Sequence, residues 1–174
     1  MTSYEKLWDF AEDHHGLITS SQAEALGVDK HYLPGMARRG TLIKKGHGVY
    51  LAKHHIPRED DVYAHSVAIA GATAYLRGAS VIALLRLAPT NPAVVYVGAS
   101  GRVRRKIPQG VRLHDMAPCA CVEYGCIKCQ NLPEALRTAK AEGALEADRI
   151  ADAARNALKR GLISEEEAKE FVED

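Results

Sequence analysis

The chain has 174 residues, 47% of them hydrophobic and 26% charged, with a formal net charge of +1. That length suits one ordinary domain or two small ones, and the apolar share supplies a core. A near-neutral total excludes a uniformly basic nucleic-acid coat, so a DNA-binding face must gather its cations locally. No run approaches the roughly 18 apolar residues of a membrane span.

The opening MTSYEKLWDF carries acids and no hydrophobic signal region, which predicts a cytoplasmic protein whose four cysteines are reduced thiols. Thr2 and Glu5 have capping-box spacing. Leu7, Phe10, Ala11 and His14 then share one helical face. A second, short helix is predicted to start at Thr19-Ser20-Ser21, with Ser21 and Glu24 as its capping box, and to stop at Gly27. Asp29 can cap a third helix, which ends at Gly40. Pro34 would remove a backbone bond inside it, so the helix is expected to begin late, near Leu33, or to be short. Thr41–Ile43 and Val49–Leu51 read as a hairpin around Lys44-Lys45-Gly46-His47-Gly48, with both lysines and the histidine at its tip.

Two helices joined by a short glycine turn form a helix-turn-helix, and a basic hairpin after the second makes a winged helix. The second helix enters the major groove in that arrangement, and the wing's ammonium groups displace counterions from phosphates. The expected contacts to double-stranded DNA are Ser20, Ser21, Gln22, Lys30, His31, Tyr32, Arg38 and Arg39 from the helices, with Lys44, Lys45 and His47 from the wing. The plainer alternative is a solvated polar face on an interaction module. Six of the eight histidines and both wing lysines precede residue 56, so the N-terminal segment concentrates its polar cations.

Residues 53–59 are polar, contain proline and read as a linker. The expected division is a winged helix-turn-helix domain over 1–56 and an α+β domain over 60–174. In the second, a helix starts at Asp60 or Asp61 and another runs from about Ser80 to Leu87. Ala93–Val97 and Val111–His114 read as paired strands, and Cys121–Tyr124 and Cys126–Lys128 as two more around Gly125. Helices follow from Asn131/Glu134, over about 145–159, and from the Ser164/Glu167 capping box. The fold class is therefore α+β, with helices, a small antiparallel sheet and a helical C-terminus.

Arg102, Arg104, Arg105 and Lys106 form the densest basic cluster, in a loop between two strands. It reads as a second phosphate contact or partner-binding loop, or plainly as an exposed loop that blunts a sheet edge. Cys119, Cys121, Cys126 and Cys129 are spaced C-x-C-x4-C-x2-C. Four thiols could bind zinc, but the first pair is C-x-C and the intervening loop is very short, so small apolar fillers on a hairpin are the favoured reading and no cofactor is expected. His14-His15 and His54-His55 are adjacent pairs, whose members point apart on a helix. No Gly-rich phosphate loop, H-E-x-x-H or G-x-S-x-G motif is present, so no catalytic residues are assigned and the protein is not expected to be an enzyme.

The pattern G-x-I-T-x-x-Q-A-x-x-x-G-V at Gly16–Val28, continued by Leu33, Gly40, Leu42 and Gly48-Val49-Tyr50, resembles the N-terminal domain of AbiEi-type antitoxins of type IV toxin–antitoxin systems. Gly78–Leu87 is similar to that family's Ser-Ala-Leu helix, and Cys126–Leu136 takes the place of its strand and capped helix. The cysteine cluster is a departure from the pattern. The resemblance implies a regulator that represses its own operon, with a second domain that neutralises a nucleotidyltransferase-type toxin and helps to bind DNA. Three rivals remain: a stand-alone transcription factor, a protein-interaction adaptor without DNA binding, and a metalloprotein or enzyme built on the cysteines.

Overall fold

The computed structural model describes residues 1–90, 93–115 and 118–173. It is α+β, and its first part is a winged helix. In order come α1 (Ser3–Asp13), β1 (Leu17–Thr19), α2 (Ser20–Ala25), α3 (Tyr32–Arg38), β2 (Leu42–Gly46) and β3 (Val49–Ala52). Thr2 caps α1 through the capping box with Glu5. Leu7, Ala11, Ile18, Ala23, Leu33, Met36 and Tyr50 close over one another as a small core. The three strands form an antiparallel sheet in the order β1-β3-β2.

Three local readings need correction. The capping box of α2 is Thr19 with Gln22 rather than Ser21 with Glu24: Thr19 Oγ1 accepts from Gln22 N and Gln22 Oε1 accepts from Thr19 N. Asp29 does not cap α3; its Oδ1 accepts from His31 N at 2.9 Å and builds a turn that precedes the helix. Strand β1 is an addition to the expected elements. It is three residues long, too short to alternate, and exists because β3 offers it a partner.

The remaining elements are α4 (Asp61–Ala70), β4 (Ala74–Leu76), α5 (Ala79–Leu84), β5 (Val95–Ala99), β6 (Val111–Asp115), β7 (Cys121–Tyr124), β8 (Ile127–Gln130), α6 (Leu132–Ala141), α7 (Ala147–Lys159) and α8 (Glu165–Val172). Five strands form one sheet in the order β6-β5-β4-β8-β7. It is mixed rather than antiparallel, because β5/β6 and β4/β8 run parallel. The β4/β8 pair traces to β4, a strand between two helices where none is expected. All three of its residues are buried, so it shows no alternation, yet it is the central strand. Asn131 caps α6 and Ser164 caps α8, both as their spacing predicts. The predicted strand over 93–97 begins at Val95 and runs on to Ala99.

The larger core gathers Leu76, Val97, Ile127 and Leu136 with Ala139, Ile150, Ala153 and Phe171 of the C-terminal helices. Leu17 of β1 and Val49 of β3 belong to this core too, so one face of the winged helix is buried against the second part of the chain. The expected linker is tied at both sides: Arg58 Nη2 donates to Glu12 O at 3.2 Å and His55 Nε2 bonds to Asp61 Oδ2 at 2.6 Å.

Candidate nucleic-acid interface

Helix α3 is seven residues long, and its start explains Pro34. The backbone turns through Asp29-Lys30 before the helix begins at Tyr32, which leaves Pro34 in the first turn, where no N–H is needed. Leu33 and Met36 anchor the inner face. Tyr32 is 64% exposed and stands outward with His31, Arg38 and Arg39. His31 Nδ1 lies 2.7 Å from Asp29 Oδ1, and Lys30 Nζ lies 3.0 Å from Glu24 Oε1. The Asp29 carboxyl is held below its usual value, first by the His31 backbone N–H and then by the His31 ring. These pairs are exposed, so each contributes little stability and yields easily to a stronger anion.

On the other helix, Ser20 N donates to Gly48 O at 2.9 Å, which joins the start of α2 to the wing turn. Ser21 Oγ lies 3.1 Å from Thr19 Oγ1. Gln22 uses its Oε1 in the capping box, so only its amide nitrogen is left for a ligand. The wing lysines sit on strand β2 beside a β-bulge between Lys44 and Gly46, not at the tip as expected; the tip is His47-Gly48. Lys44 pairs with Tyr50 within the ladder, and Lys45 is the extra residue of the bulge. Both lysines and His47 are exposed.

Much of this set faces one groove of about 820 Å³. Ser20, Ser21, Gln22, Lys30, His31, Lys44 and His47 line one wall, while Arg105, Glu123, Cys126 and Lys128 come from the second part of the chain. Arg38 lies instead with Pro34, Ile43, Lys44 and Tyr50 at a shallower cleft between α3 and β2. Tyr32, Arg39 and Lys45 line neither.

The basic loop is split by the structure. Arg105 crosses Gly71 and its Nη1 donates to His47 O at 3.0 Å, so this cation reaches the wing tip. A Cβ at Gly71 would come within 3.5 Å of that guanidinium, so the path over the glycine is close. Arg102, Arg104 and Lys106 are exposed and away from the groove. Lys128 on β8 joins the groove without any signal in the sequence, since a lone lysine in a strand carries none.

A buried polar joint holds the two walls together. Asp61, at the start of α4, accepts from Arg58 N at 2.9 Å, lies 2.6 Å from His55 Nε2 and 3.1 Å from His15 Nδ1. His15 Nε2 reaches Gly125 O, in the β7–β8 turn, at 2.8 Å. Burial pushes the Asp61 carboxyl up, but the Arg58 N–H and the two histidines outweigh it and hold it below its ordinary value. The adjacent histidine pairs thus do contribute to one site, with one member of each meeting on a shared carboxylate. His65, whose Nε2 faces His15 O at 3.3 Å, is pushed down by burial.

Cys121, Cys126 and Cys129 diverge. Cys121 pairs in register with Gln130, and Val122 with Cys129, so Cys121 and Cys129 point to opposite sheet faces. Cys129 is buried in the larger core and Cys126 is exposed at the turn. Among the described residues, no group of three or more His, Cys, Asp or Glu side chains is placed to hold a metal ion. Nor is any helix among them long and apolar enough to cross a membrane.

Helix, strand, helix, turn, helix and wing in this order define a winged helix-turn-helix protein. Residues 5–53 match the model of the family described as transcriptional regulator, AbiEi antitoxin. The resemblance legible in Gly16–Tyr50 is borne out over that stretch. No curated protein matches the chain.

Proposed function

We propose that the chain is a sequence-specific DNA-binding regulator that represses its own operon and, through residues beyond the winged helix, neutralises a nucleotidyltransferase-type toxin. It acts by binding, without a catalytic site or cofactor. One observation carries the DNA reading. The turn that leads into α3, the start of α2 and the wing, which the order of a winged helix marks as the DNA-reading parts, line a common groove with cations on both walls. His31 and Tyr32 offer a ring edge and a hydroxyl to base edges. Lys44 and Arg105, one on each wall, sit where phosphates would lie between them. The toxin reading rests on the family match over residues 5–53 alone.

The test uses the full chain and the DNA upstream of its gene. Specific binding should exceed binding to unrelated DNA by about 10³-fold or more and should weaken steeply with salt. Binding that is equal on all sequences, or indifferent to salt, would favour an adaptor. Co-expression with the neighbouring reading frame decides the toxin part. Rescue of growth supports it, and a neighbour that is harmless alone removes it.

A further inference from the structure

The β7 end of the sheet holds a pair of thiols that the function above does not use. Cys119 Sγ and Cys121 Sγ lie 3.0 Å apart. In an extended strand, residues two apart are about 6.5 Å from each other, at the long end of the about 4.4–6.8 Å that a disulfide spans between Cα atoms. The backbone is not held to that spacing, because β7 begins only at Cys121 and residues 118–120 are irregular. The irregular stretch before the strand leaves the first thiol beside the second. Both side chains are partly exposed, so a small reagent can reach them. The other two are set apart: Cys129 is buried with its Sγ–H directed to Ile127 O, and Cys126 is exposed at the far end of the hairpin.

We propose that Cys119 and Cys121 are a modification site, a dithiol that low-molecular-weight disulfides of the glutathione type convert to an intramolecular disulfide. One protein thiolate attacks a sulfur of the reagent, breaks its S–S bond and expels one thiol. The second cysteine then attacks the mixed disulfide and expels the other. Two S–H groups become one S–S bond, and two electrons and two protons leave in the two small thiols. Burial and the contact with Cys119 push the Cys121 thiol up to about 12. Its thiolate is scarce at neutral pH and it is a poor leaving group, so oxidation and reduction are both slow and both accelerate with rising pH.

The experiment treats the full-length protein with glutathione disulfide and measures intact mass and peptide mass. The exposed competitor is removed in a Cys126→Ser background. The expected product has lost two hydrogens, and the peptide carrying both cysteines takes up no alkylating reagent until it is reduced. Cys119→Ser and Cys121→Ser should each stop at a glutathione adduct. In the Cys126→Ser protein, an adduct as the only product, a cross-link to Cys129, or full alkylation of both thiols after prolonged treatment would each overturn the proposal.

Discussion

The joint at Asp61 offers the sharpest test of how the winged helix is held. Asp61→Asn keeps the size of the side chain but removes its charge and turns one acceptor into an NH2 donor. Three donors converge there: Arg58 N, His55 Nε2 and His15 Nδ1. The residue is 8% exposed, so water cannot replace the lost partner. Breaking a buried charge pair from one side costs about 3–5 kcal/mol. Because the amide oxygen can still accept one bond, we expect a loss near the lower end, about 3 kcal/mol. Denaturant unfolding followed by the single tryptophan, Trp8, and separately by far-ultraviolet circular dichroism measures it. Trp8 packs against the small core of the winged helix, so its transition should move at least as far as that of the whole chain. The effect should also depend on pH. Asp61 is held below 3.8, so its ionised form stabilises the fold above that value and the stabilisation is lost as pH falls through the lower, folded pKa. The gap between wild type and variant is therefore full at pH 7 and narrows in acid. A variant within about 0.5 kcal/mol of wild type at pH 7, the range of an ordinary surface substitution, would refute the idea that this carboxylate ties the two parts together.

Lys44→Ala with Lys45→Ala should weaken binding to all DNA sequences alike and lower the salt slope by about 0.9 for each phosphate that is no longer neutralised. An unchanged slope would take the wing off the DNA. His31→Ala or Tyr32→Ala should cost about 1–3 kcal/mol on the cognate operator and relax preference at one or two base pairs, read by competition with point-substituted sites; a uniform loss across those sites would mean that they only position the protein. A fragment of residues 1–56 leaves Leu17 and Val49 in water and removes the partner of His15 and His55. Losing two such burials costs about 3–6 kcal/mol, so the fragment should show no cooperative thermal transition, and a sharp transition would show that the winged helix folds by itself.

The parts of the fold that are legible in the sequence are those whose determinants are local. Thr2 with Glu5, Asn131 with Glu134 and Ser164 with Glu167 each announce a helix start within four residues, and each helix is present. The hairpins are legible for the same reason, since glycines at 48 and 125 permit the positive φ that their turns require. What escapes is set by distant partners. Strands β1 and β4 have three residues each, and nothing in Leu17–Thr19 or Ala74–Leu76 tells a strand from a loop until β3 or β5 is beside it. The parallel pairing of β5 with β6 is equally invisible, because a strand pattern carries no direction.

The candidate site divides along the same line. His31, Tyr32, Lys44 and Lys45 follow from motif order, because the order of a winged helix fixes which segments stand outward. Arg105 is visible in the sequence only as one of a cluster, and the structure separates it from its neighbours by a criterion absent from sequence: its guanidinium donates to the His47 carbonyl at the wing tip. That bond also changes what the wing is. A two-stranded ribbon is marginally stable by itself. Here β1 extends it to three strands, and the side chain of Ile69 lies 3.6 Å from where a Cβ on Gly46 would sit. Arg105 holds the carbonyl at the tip, and Val49 is sunk in the larger core. Lys44 and His47 are therefore carried on a braced edge, whose position relative to α3 is fixed by α4 and the β5–β6 loop as much as by the hairpin's own turn. A substitution at Ile69, outside the candidate groove, therefore alters where those side chains stand. The polar residues of the interface are legible as a motif, and their placement is a property of the whole chain.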